Sequence, residues 1–194
     1  MVTPIIGTPI SPLAPEITGA LEELIAIEVI VERDAMDFYP TISTCNRFGK
    51  RANQIDRSLA KPKWGTTEAK SMYEAKLIAC ISLELKFAKD SVVKADRFVR
   101  TTLSWCEKMR ELSPHREALL ATPSYLIGRV SNRAIMILKS KDLEAKIQKE
   151  LETRQEQLAE LQQRVITVSE DLVAAIEDFP EAYAARLARR ELCL

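Results

Sequence analysis

From Thr66 to Leu112 the chain contains neither proline nor glycine, and small or apolar residues recur there at alternating steps of three and four. The series is Ile78, Ile81, Leu85, Ala88, Val92, Ala95, Val99, Thr102, Cys106 and Met109. Such spacing is a heptad seam on one helix face and does not match the two-residue period of a strand. An unbroken helix over this stretch measures about 70 Å at 1.5 Å per residue. A compact globule of this chain length has a radius of gyration of about 16 Å, so the helix cannot be enclosed by one. Leu77, Phe98, Leu103 and Trp105 widen the apolar face beyond what a two-stranded coiled coil needs, which predicts a bundle of three or more helices.

A second seam follows. Ser124 to Phe179 lacks proline, with Gly128 its one weak point. Ile147, Leu151, Leu158, Leu161, Val165, Val168, Leu172, Ala175 and Phe179 continue a heptad, with Arg154 in one core position. Pro114 and Pro123 bracket the break between the seams. Ser113 before Pro114 reads as an N-cap followed by a first-turn proline, and Ser124 as the cap of the next helix. Residues 16–38 carry Ile17, Ala20, Leu24, Ile27, Val31 and Phe38 on one helix face. Within it Ile25–Glu32 is β-branched and partly alternating, so a strand competes locally. Pro40 is expected to end this element, and a short helix over 53–60 to stop at Pro62 and Gly65. A tail helix starts at Pro180 and carries Tyr183, Leu187, Leu192 and Leu194.

The expected fold is all-α: an elongated helical bundle built on a long antiparallel hairpin of helices at about 66–112 and 124–179. Residues 1–15 form a separate arm and 16–194 the bundle. The arm holds Pro4, Pro9, Pro12 and Pro15 among Val2, Ile5, Ile6, Ile10 and Leu13, which favours an extended segment docked on protein. Its two PxxP spacings also fit a groove for polyproline ligands, and so a protein partner.

Several chemistries are excluded by counting. The five glycines are too far apart for a phosphate-cradling loop. The four cysteines, Cys45, Cys80, Cys106 and Cys193, form no C-x-x-C pair, and one histidine, His115, completes neither a zinc site nor a pair of di-iron motifs. His115 lies in Ser113-Pro114-His115-Arg116, which reads as an exposed helix start rather than a triad base. Carboxylate pairs such as Glu22/Glu23 and Asp34/Asp37 read as solvated helix faces. No catalytic residue, metal ligand or cofactor is expected. Sparse cysteines predict free buried thiols, and no signal peptide or transmembrane run is read, which points to the cytoplasm.

Charge is unevenly placed although the chain is neutral overall. Residues 1–40 hold seven acids and one base, a net −6; residues 141–179 hold ten acids and five bases, a net −5. Between them, residues 41–65 hold Arg47, Lys50, Arg51, Arg57, Lys61 and Lys63 against Asp56, a net +5. Phe48 and Trp64 are interleaved with these cations.

The functional expectation is a non-enzymatic structural or assembly protein, a homo-oligomer or scaffold acting through its long helices. Its association core is expected from Ile78, Ile81, Leu85, Val92, Val99, Leu158, Leu161, Val165, Val168 and Leu172. The alternative is a nucleic-acid-binding coat or nucleocapsid-like helical subunit. That reading uses Arg47, Lys50, Arg51, Arg57, Lys61, Lys63 and Trp64, with phosphates paired to the cations and bases stacked on the aromatics. Against it stands neutralisation of the same cations by the acidic helices.

Overall fold

The computed structural model describes residues 13–61, 65–121 and 126–191. Most of the arm, Lys63 and Trp64, Pro123 and Ser124, and Cys193 with Leu192 and Leu194 lie outside the described residues. All regular structure among those described is helical. The helices are α1 (Pro15–Leu59), α2 (Thr67–Leu112), α3 (Arg116–Ala121), α4 (Asn132–Leu138), α5 (Leu143–Asp178) and α6 (Pro180–Glu191). Single 3-10 turns lie at Ser113–His115 and Ile127–Arg129.

α2 takes the extent that the seam predicts. The Thr66 hydroxyl accepts the Ala69 amide at 3.1 Å, Glu68 lies in the first turn and Arg110 in the last, so both ends suit the helix dipole. Every residue of the α2 seam is buried or half-buried. Ile25–Glu32 is helical, as length and the lack of turn residues require.

Three boundaries differ from the expectation. α1 does not end at Pro40 but runs through it, absorbing the region expected as a basic connection and a short helix. An interior proline costs a helix roughly 3 kcal/mol, through a lost N–H and a ring clash one turn back. Here Pro40 and Met36, whose carbonyl loses its partner, both sit on the exposed side, where water can satisfy that oxygen. Tertiary bonds hold the helix on either side of the proline. Arg97 of α2 binds Asp34 Oδ1 at 2.9 Å and Asp37 Oδ2 at 2.6 Å. Lys94 Nζ donates to the Thr41 hydroxyl at 2.7 Å, and Phe38 is buried between these anchors.

The second long helix is also shorter than 124–179. It divides into α4 and α5 at residues 139–142. Ser140 closes that turn: its amide donates to the Ile137 carbonyl at 2.9 Å, its hydroxyl accepts the Asp142 amide at 3.2 Å, and its carbonyl accepts from Arg116. A short polar run, Lys-Ser-Lys-Asp, thus competes locally with the helix. Finally, Ser113 caps nothing with its side chain: α2 continues to Leu112 and passes directly into the 3-10 turn that holds Pro114.

The chain separates into two compact units. The first comprises residues up to Arg33 with Phe98–Arg154; the second comprises Asp34–Arg97 with the residues from Gln155 onward. In the first unit Leu21, Leu24, Met109, Leu112, Leu119, Leu138 and Ile147 are fully buried, and Leu13 and Ile17 pack against them. Glu28 links three elements there: its carboxylate accepts from Trp105 Nε1 at 3.2 Å and from both the amide and the hydroxyl of Ser131. Ser131 caps α4 by accepting the Ala134 amide at 3.2 Å. Arg154, the charged residue in the apolar seam, lies over the Phe98 ring at 4.7 Å from its centroid, a cation–π contact that lets a guanidinium occupy an apolar position.

In the second unit Ala52 and Ile55 of α1, Leu77, Ile78, Cys80 and Ile81 of α2, Val168 and Ala175 of α5, and Ala182 of α6 form one apolar cluster. Phe48 stacks on Phe87 with centroids 5.7 Å apart. Buried Ser91 donates to the carbonyl one turn back at 2.7 Å, so its hydroxyl costs the core little.

Candidate functional site

The second half of α1 carries a basic face. At 100° per residue, Arg47, Lys50, Arg51, Gln54 and Arg57 fall within an arc of about 120°, and Lys61 lies two residues beyond the end of α1. Cys45, Ala52 and Ile55, which are buried, lie on the opposite side of the helix. Asp56, the one acid in this stretch, falls outside the arc. The four cations of the arc, and Lys61 after it, are exposed. No ion pair joins Arg47, Lys50, Arg51, Arg57 or Lys61 to a carboxylate among the described residues. Lys50 nevertheless lines a groove together with Glu160 and Asp171 of the acidic helix α5.

Next to this face lies a polar groove of about 470 Å³, all within the second unit. Asn46, Lys50 and Asn53 of α1 line one side; Gln163, Arg164, Thr167 and Asp171 of α5 line the other. Glu84 of α2 forms its floor. Its carboxylate is nearly buried and is bound by Arg164 through Nη2 at 2.6 Å and Nε at 3.2 Å. Arg164 also donates to the Asn46 side-chain oxygen. Gly49 makes this approach fit: a Cβ there would lie 2.6 Å from Glu84 Oε1 and 2.9 Å from its Cδ. A glycine inside a helix costs about 1 kcal/mol relative to alanine, so α1 gives up helix stability to admit a carboxylate against its backbone.

The aromatic part of the expected site does not form as read. Phe48 is half-buried on Phe87 and carries the Arg47 guanidinium 5.6 Å from its ring centroid. Its faces are engaged within the protein, so it is no platform for a base. Trp64 and Lys63 lie outside the described residues.

The ten residues expected to line an association core are buried or half-buried in the single chain. Ile78, Ile81, Leu161 and Val168 are buried, and Leu85, Val92, Val99, Leu158, Val165 and Leu172 are half-buried. Large exposed apolar side chains are others: Val29, Met36, Met72, Val93, Met136, Ile166 and Val173 among them. Ile166 and Val173 stand one heptad apart on α5, off the internal seam. That offset is visible in the sequence, but an internal seam had already claimed the helix. Of the acid pairs read as solvated helix faces, Glu22, Glu23 and Asp37 are exposed and Asp34 alone departs from that reading. Asp34 is fully buried against Arg97, Asp37 pairs with the same guanidinium, and Glu23 pairs with Lys108 at 2.5 Å.

His115 is exposed in its turn. Among the described residues no group of three or more His, Cys, Asp or Glu is placed to hold a metal ion, and no helix is long and apolar enough to cross a membrane. Cys45, Cys80 and Cys106 are free and buried. Cys45 Sγ donates weakly to the Glu84 carbonyl at 3.6 Å, and Cys106 Sγ to that of Ile147 at 3.5 Å.

Burial pushes all three thiols above their ordinary 9.0, opposed in part by the positive charges of Arg164, Arg51 and Arg110 respectively. Hydrogen bonds from Lys108 to Glu111 and Glu23 raise that ammonium above its ordinary 10.5. Both kinds of shift give the same sign. Above pH 9 the unfolded chain releases thiol protons that the folded chain retains, so stability falls as pH rises. The Lys108 contribution is complete below 10.5 and is lost higher still. The urea midpoint is expected to hold steady to about pH 8 and to fall above about pH 9. A midpoint rising across that upper interval would contradict the assignment.

No protein-family model, curated protein or solved structure matches this chain.

Proposed function

We propose that the protein is a non-enzymatic structural or assembly protein that associates with copies of itself through its long amphipathic helices. In this reading α2 and α5 form an antiparallel hairpin. Within the first unit the pairs Arg110–Glu144, Cys106–Ile147 and Phe98–Arg154 descend α2 as they ascend α5, which supports that arrangement. The observation that carries association is the pair Ile166 and Val173, 52% and 55% exposed, one heptad apart on a helix whose other seam is already used. Exposed apolar side chains at that spacing form the stripe that a helix from another copy needs. The test is light-scattering mass at two concentrations for the wild type and for Ile166→Glu/Val173→Glu. The wild type should exceed the 21.9 kDa of one chain, and the double variant should approach it with unchanged helicity. A wild-type monomer at both concentrations refutes association.

A second reading, a nucleic-acid-binding coat or nucleocapsid-like helical subunit, is favoured by the exposed basic arc of α1, whose cations form no ion pair with a carboxylate among the described residues. Here the same chromatographic peak would carry a 260/280 nm absorbance ratio shifted toward nucleic acid.

A further inference from the structure

Resting on the self-association reading and deepening it, we infer that two copies pair as a symmetric dimer, the basic face of α1 in each copy lying on the acidic outer face of α5 in the other. Three observations converge. The first is charge. From Gln155 to Asp178, α5 holds six acids, Glu156, Glu160, Glu170, Asp171, Glu177 and Asp178, and one base, Arg164. All six acids are exposed, and at 100° per residue they fall within an arc of about 120°. Arg164 is turned onto Glu84 at the floor of the groove. The arc of α1 carries the opposite charge in Arg47, Lys50, Arg51 and Arg57.

The second is placement. Both faces belong to the second unit and border one groove, with Lys50 on one bank and Glu160 and Asp171 on the other. The arc from Arg47 to Arg57 runs about 15 Å, and the stretch from Glu160 to Asp171 about 17 Å, at 1.5 Å per residue. Faces of opposite charge and like length, side by side, match a second copy turned over by a two-fold axis along the groove. Each basic face then meets an acidic one, twice, as an isologous contact requires. The third observation is the exposed pair Ile166 and Val173, which edges the acidic arc. Arginine stems cover apolar surface while their charged ends reach beyond it. In the dimer the stems from the second copy cover Ile166 and Val173, and the guanidinium groups reach Glu170 and Glu177. The acids outnumber the cations, so a glutamate at 166 or 173 finds no free cation and removes the apolar contact. A single exposed ion pair contributes little, so the dimer depends on their number and weakens in salt.

The experiment is analytical ultracentrifugation of the full chain over a dilution series, with and without nuclease, at about 0.1 M and about 1 M potassium chloride, between which the screening length falls from about 10 Å to about 3 Å. At low salt the wild type should show twice the 21.9 kDa of one chain, and its Kd should weaken at least about tenfold at high salt. Lys50→Glu/Arg51→Glu/Arg57→Glu and Glu160→Lys/Glu170→Lys/Asp171→Lys should each run as a monomer alone. Their equal mixture should recover the dimer, because the reversed faces are again opposite in charge. Glutamate and lysine keep helix propensity at these exposed positions, and circular dichroism checks folding. Arg57→Glu and Glu170→Lys, each alone and mixed, serve as the milder set. A dimer indifferent to salt, folded reversal variants that keep the wild-type mass, a mixture that stays monomeric, or an assembly of more than two chains overturns this inference while self-association stands. A mass that falls to one chain on nuclease treatment overturns it in favour of bridging by nucleic acid. A wild-type monomer at every concentration overturns both this inference and the self-association reading.

Discussion

Arg164→Met is expected to destabilise the second unit by about 3 kcal/mol, while Glu84→Met/Arg164→Met returns to near or above wild-type stability. The asymmetry follows from where each partner sits. Glu84 is wedged against the α1 backbone at Gly49 and is nearly enclosed, whereas Arg164 reaches it from the groove and keeps contact with water. Removing the arginine leaves a carboxylate desolvated with its charge partner gone; the groove admits some water, which holds the loss to the low end of the range for broken buried pairs. Removing both charges and leaving two thioethers of similar volume restores packing without desolvating an ion. Glu84→Met alone should cost less than Arg164→Met, because the freed guanidinium still has Asn46 and solvent. Chemical denaturation of all three variants closes the double-mutant cycle. Equal losses for the two single variants would show that the carboxylate is not the more strongly desolvated member.

This node also marks the limit of what the sequence makes legible. Periodicity located α2 to within a residue and identified which of its side chains turn inward, because apolar spacing is a property of one helix alone. The all-helical class followed from the same signal. Pro40 was misread because the factor that outweighs a proline lies sixty residues away, in Arg97 holding Asp34 and Asp37. The break at 139–142 was passed over because Lys-Ser-Lys-Asp lacks the glycine or proline by which turns are usually recognised. Of the candidate site, the cations were legible as residues, but the gathering of Arg47, Lys50, Arg51 and Arg57 on one face depended on α1 continuing past Pro40. Gly49 carried a hint: a glycine within what proves to be continuous helix commonly marks a close approach, although its partner Glu84 was not readable from its own neighbours.

Two substitutions of the same kind on α2 are expected to part completely. Ile78→Asp should unfold the second unit, and Val93→Asp should leave it folded. Ile78 is fully buried in the cluster formed by α1, α2, α5 and α6, and Val93, on the same helix, is 68% exposed. At Ile78 the change removes an aliphatic side chain from the core, worth about 2–5 kcal/mol, and adds a carboxylate with no cation in the apolar cluster. Together these consume most of the 5–15 kcal/mol that an ordinary domain has. At Val93 the carboxylate stays hydrated, and the cost is the lower helix propensity of aspartate away from a helix start, a few tenths of a kcal/mol. Leu85, half-buried at the edge of the same cluster, should fall between them when changed to Asp. Circular dichroism with urea titration reads the ordering directly. A folded Ile78→Asp variant with an unchanged midpoint would mean that the heptad seam of α2 is not the support of this unit. Loss of assembly in a fully folded Val93→Asp variant would instead extend the associating surface from α5 to α2.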